Sequence, residues 1–75
     1  MFGPDDELDA TPENFRAVIA YLGLRLYDLA PDVGINPLSL GQQLGRRMPM
    51  GRERKESLAR VLRARGGPKF RFPAE

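Results

Sequence analysis

The stretch LAPDVGINPLSLGQQLGRR, residues 29–47, constrains the fold more than any other segment of the chain. Its apolar residues recur near helical spacing, yet Pro31, Gly34 and Pro37 interrupt them. Proline inside a helix removes a backbone donor and crowds the preceding turn. Glycine takes positive φ without steric cost, which suits a tight turn. The pattern therefore predicts two short helices joined at Gly34. Asn36 and Pro37 open the second, as N-cap and first helical residue.

The same punctuation divides the rest of the chain. Thr11-Pro12-Glu13-Asn14 is a helix start, and Phe15, Val18, Ile19 and Leu22 follow at helical spacing, predicting a helix over roughly 12–22. Beyond Gly23 two readings stand: one long helix running to Pro31, or a break at 23–25 and a second helix over about 26–33. Periodicity does not separate them, but the spacing downstream favours the break. Met48-Pro49-Met50-Gly51 reads as a loop. A fourth helix over roughly 52–65 carries Leu58, Val61 and Leu62 inward and stops at Gly66-Gly67-Pro68. In the tail KFRFPAE, Phe70 and Phe72 share one face of a short strand. Residues 1–10 have no periodicity and read as a disordered acidic arm. The expected organisation is thus an arm over 1–10, a helical domain over 11–66 and a basic-aromatic tail over 67–75, giving a small all-α bundle of about four helices.

At 75 residues the chain is small, and such a domain buries only about 60% of its unfolded surface. Small domains usually need a staple. Cysteine and histidine are both absent, which excludes disulfides, Cys- or His-ligated metal and the usual neutral-pH acid-base group. Oligomerisation is the staple expected by elimination. No apolar run nears the roughly 20 residues of a membrane span. The N-terminal MFGPDDELD lacks the pattern of a signal peptide, so a cytoplasmic location is expected.

Charge is unevenly spread. Asp5, Asp6, Glu7, Asp9 and Glu13 give residues 1–13 a sum of −5, with no Lys or Arg. Residues 46–71 hold ten Lys and Arg against Glu53 and Glu56, a net of +8. Such a block attracts polyanions. Beside a helix-turn-helix pattern it ranks nucleic acid above a membrane surface or an acidic protein.

A helix-turn-helix needs a small residue where its helices cross, a turn residue with positive φ, and apolar residues pinning both helices to the core. Leu29 and Val33 supply inward positions, Ala30 the crossing, Gly34 the turn, Ile35 the plug and Leu40 the anchor of the second helix. The phrase GLRLYDLAPDVGIN resembles the phage repressor and Cro-like (XRE) DNA-binding family, with its Leu-Ala pair, glycine four residues on, an aliphatic and a polar N-cap. The resemblance covers about residues 12–62. The chain departs from the family's pattern at Pro31 inside the first motif helix, at Arg25 where a polar N-cap is usual, and at Gln43 where a buried aliphatic is usual. It has the KFRFPAE tail where a fifth helix is common.

The resemblance implies a lambda-repressor-like bundle and a DNA-binding set of Arg25, Asn36, Leu38, Ser39, Gln42, Gln43, Arg46, Arg47, Arg52, Arg54 and Lys55. Asn36, Leu38 and Ser39 would stand at the mouth of the major groove. Leu38 would meet a thymine methyl, and Gln42 would pair with adenine. The arginines and Lys55 would clamp phosphates. Phe70 and Phe72 read as hydrophobic cover, within one subunit or across a dimer, with dimerisation favoured. The acidic arm, if not plain disorder, would screen the basic surface or meet a protein partner. The expectation is a sequence-specific regulator, a phage- or plasmid-type repressor, binding double-stranded DNA as a homodimer, with no cofactor, metal or catalytic residue. The alternative is an interaction module, antitoxin-like or an inhibitor of RNA polymerase or another enzyme, using the basic helix on an acidic partner.

Overall fold

A computed structural model describes Gly3 and residues 5–72. The other residues of the expected arm and tail, 1, 2, 4 and 73–75, lie outside the described set. Element order is β1 (Glu7–Asp9), α1 (Pro12–Leu22), α2 (Leu26–Val33), α3 (Pro37–Leu44), α4 (Arg52–Ala64) and β2 (Lys69–Arg71). Residues 12–33 therefore form two helices, with the break at Gly23.

Side-chain caps open α1 and α3, and all four helices close through the backbone. The Thr11 hydroxyl accepts from the Asn14 amide at 3.2 Å, while the Asn14 side chain donates to the Asp9 carbonyl at 2.8 Å. At α3, Asn36 Oδ1 accepts from the Leu38 amide at 2.8 Å. Arg25 at the start of α2 makes no side-chain capping bond. All four helices end with an amide reaching back five residues to a carbonyl: Leu24 to Ile19, Ile35 to Ala30, Arg47 to Gln42 and Gly67 to Leu62. This closure wants a left-handed residue just past the helix. Gly23, Gly34 and Gly66 supply it, and at α3 it is Arg46, with φ 64°. Pro31 lies within α2, a helix of two turns where one missing donor costs little cohesion.

The helices enclose one core. Phe15, Val18, Leu29, Ala30, Leu40, Leu58 and Leu62 are fully buried, and Ile19, Val33, Leu44 and Ala59 nearly so. α2 packs on α3 and α4, and α1 packs on the same two helices. Gly67 is a glycine by necessity of space, because a Cβ there would stand 2.8 Å from the Leu62 carbonyl oxygen.

One expectation is corrected at this level. The acidic arm was read as disordered, yet Glu7–Asp9 is a strand that pairs in parallel with Lys69–Arg71, in the register Leu8 opposite Phe70. The bundle is accordingly mostly helical with a small two-stranded sheet, rather than purely α. Three-residue strands have no stability alone, and this pair is held by its inner face. Leu8 and Phe70 pack on the core, Ala10 is buried, and the Phe70 ring lies 4.7 Å from that of Phe15. Phe70 and Phe72, read as cover within one subunit or across a dimer, are half-buried and pack against the core of their own subunit.

Candidate nucleic-acid interface

α2 and α3 are eight-residue helices joined through Gly34, Ile35 and Asn36. The 3.6-residue period turns Leu40, Gln43 and Leu44 of α3 inward. The opposite side carries Leu38, which is 72% exposed, with Ser39 and Gln42 half-buried beside it. Asn36 is exposed, but its carboxamide oxygen is engaged in capping α3. α3 itself, PLSLGQQL, carries no charged side chain.

A groove of about 370 Å³ runs between the outer faces of the two helices. Leu26, Tyr27, Pro37 and Leu38 form its apolar walls, and Gln42 and Arg47 stand along it. Gly41 lies at its floor against Leu26, where a Cβ would make ordinary contact with Leu26 Cδ1 at 3.4 Å. Tyr27, 79% exposed, was missed by the sequence reading. The signal for it was present, since Leu26, Leu29, Ala30 and Val33 define the inward stripe of α2 and leave the aromatic ring outside it.

Gln43 does not belong to this surface. It is 9% exposed, and its Oε1 is buried with no hydrogen-bond partner. Its place on the inward stripe is the cause, so its assignment to DNA contact is corrected.

Several residues of the expected phosphate clamp are engaged within the chain. Arg46 forms a two-pronged ion pair with Glu13 in the first turn of α1. The Arg46 hydrogen bond holds the Glu13 carboxyl below its ordinary range, and the Arg46 guanidinium is correspondingly raised. Arg54 is half-buried and donates to the Val33 carbonyl at 3.1 Å, closing the end of α2. Arg52 lies 3.6 Å from Glu56 and 5.7 Å from the centre of the Phe72 ring. In the sheet, Arg71 bonds Asp9 at 2.8 Å and Glu7 at 3.1 Å, which raises its pKa above the usual arginine value. Arg65 reaches Asp32 at 2.7 Å.

Folding thus brings acidic and basic segments together, so the basic block is not a uniform field. Of the expected clamp, Arg25, Arg47 and Lys55 have no ion-pair partner among the described residues. Arg25 and Arg47 are exposed, whereas Lys55 is half-buried. Arg47 lines the groove and Arg25 immediately precedes α2. Lys55 instead lines a second depression with Gln43, Arg46 and Met50.

Among the described residues no group of three or more Asp or Glu side chains gathers to hold a metal ion, and no helix is long and apolar enough to cross a membrane. Comparison with protein-family models, with curated proteins and with solved structures finds no match to this chain.

Proposed function

We propose that the chain is a sequence-specific DNA-binding regulator of the helix-turn-helix type, a repressor of phage or plasmid kind that binds an inverted-repeat operator as a homodimer. One observation carries this reading. α3 is short, is pinned to α2 through a left-handed glycine, and turns an uncharged Leu38-Ser39-Gln42 face outward beside the unpaired Arg47, with the unpaired Arg25 at the start of α2. Such a face offers hydrogen bonds and apolar contact to base edges, while flanking cations offer contacts to phosphate that position without specifying. Repression would follow by occlusion of the operator.

Selection from a randomised duplex library at about physiological salt tests it. The expected result is an enriched inverted repeat with half-sites about one helical turn apart. Gln42→Ala then relaxes base preference at one position, whereas Arg47→Ala weakens all duplexes and lowers the salt slope by about 1. An unenriched pool refutes the reading.

A second reading draws on a different observation. Tyr27 and Leu38 leave large apolar groups in water on one groove, as a protein-interaction surface does. An interaction module using this groove predicts that Tyr27→Ala abolishes activity in cells without changing affinity for any duplex.

A further inference from the structure

We infer that the depression framed by the start of α1, the end of α3 and the start of α4 binds a small aromatic carboxylic acid carrying an N–H donor, with Lys55 taking the carboxylate and Gln43 the donor. The depression has a volume of about 460 Å³, within the roughly 300–1,000 Å³ usual for small-molecule sites. It shares no lining residue with the groove between α2 and α3, so the inference stands whether or not the chain reads DNA. Its walls are Pro12, Met48, Pro49 and Met50. Methionine thioethers adapt to irregular shapes and favour the edges of aromatic rings.

Among the described residues, two polar groups in this lining lack partners. Gln43 is 9% exposed, and its Oε1 is buried without a hydrogen bond. It lies with Leu40 and Leu44 on the inward stripe of α3, where an apolar side chain of like volume would fill the place without that cost. Departures of this kind concentrate at functional sites. The last torsion of a glutamine is soft and roughly two-fold, so the acceptor turns to an incoming N–H without moving the helix. Lys55 is half-buried and has no ion-pair partner. The other cation of the lining, Arg46, is already neutralised by Glu13, and the lining holds no carboxylate. One uncompensated positive charge matches a carboxylate, whereas a phosphate brings nearly two negative charges.

Isothermal titration of the full chain tests this with three probes. Indole-3-acetate has the ring, the N–H and the carboxylate, naphthalene-1-acetate lacks the N–H, and indole lacks the acid. Indole-3-acetate should bind saturably with Kd below about 1 mM, naphthalene-1-acetate about fivefold more weakly and indole about tenfold more weakly. Lys55→Met should weaken indole-3-acetate about tenfold. Gln43→Met should bring indole-3-acetate down to the level of naphthalene-1-acetate and leave the latter unchanged. Arg60→Ala, which removes an exposed cation elsewhere on α4, should change nothing. Gln43→Met should melt above wild type, so binding lost in that variant is not lost folding. No saturable binding of indole-3-acetate, or binding that survives both Lys55→Met and Gln43→Met, overturns the site. Equal affinity for the three probes overturns the roles assigned to the two side chains.

Discussion

Replacing Gln43 by methionine is expected to stabilise the protein. The wild-type residue is only 9% exposed, with Oε1 unpartnered. An unsatisfied buried acceptor costs about 1–3 kcal/mol. Methionine has nearly the same volume, no strong acceptor, and enough flexibility to fill an irregular space. Allowing for imperfect fit and methionine's own loss of rotamers, a net gain of about 1–2 kcal/mol is expected. In a domain of this size each kcal/mol moves Tm by about 4–8 °C. Thermal unfolding followed by far-ultraviolet circular dichroism should therefore show a rise of at least about 4 °C. Affinity for the selected duplex should not change, since this side chain does not reach the outer face of α3. An unchanged or lowered Tm would refute the claim that the carboxamide oxygen is buried without a partner. A loss of DNA affinity would return Gln43 to the reading surface.

Other consequences are equally open to measurement. Gly34→Ala forces a Cβ into the left-handed region at φ 82° and should cost about 1–2 kcal/mol in urea unfolding. Phe70→Ala removes a half-buried ring from Phe15 and should cost about 2 kcal/mol. Its Tm deficit should be the same at protein concentrations tenfold apart, whereas a deficit that grows on dilution would place the ring in a dimer contact. Glu13 is lowered from 4.5 by its bond to Arg46. Its contribution to stability is therefore complete above that value and is lost as pH falls through the lower, folded value. The stability gap between wild type and Glu13→Gln, measured by denaturant, should be larger at neutral pH than well below pH 4.5, and a pH-independent gap would exclude the pair as its source. Gly67→Ala should be the most damaging glycine substitution, because the nearest obstacle is backbone and cannot swing aside.

What could be read from the sequence was whatever is decided locally. Thr11, Asn36, Pro12 and Pro37 announce helix starts, and Gly23 and Gly34 announce ends, so α1 and α2 fall where the sequence places them. Gln43 was an avoidable miss, since Leu40, Gln43 and Leu44 follow the i, i+3, i+4 rule for an inward stripe, and polarity was allowed to outweigh position. The charge pairs were of another kind. Composition counts charges but does not say that Arg46 will meet Glu13 across 33 residues, or Arg71 meet Asp9 across 62. A strand of three residues is too short for its alternation to stand out, so β1 passed for featureless acid. The αL position after α3 falls on Arg46, one residue beyond Gly45.

The β1–β2 pairing has a bearing on the order in which the protein folds. Its strands stand opposite one another at Glu7 and Lys69, with all four helices between. Closing so long a loop is entropically slow, and the few bonds gained do not repay it until the core has formed. The sheet should therefore be absent from the folding transition state, with φ-values near zero at Leu8 and Phe70 and higher values where α2 meets α3. Changes that strengthen or loosen the sheet would then leave the folding rate nearly constant and act on the rate of unfolding. The ion pairs of Arg71 with Glu7 and Asp9 would thus govern how long the native state lasts more than how quickly it is reached.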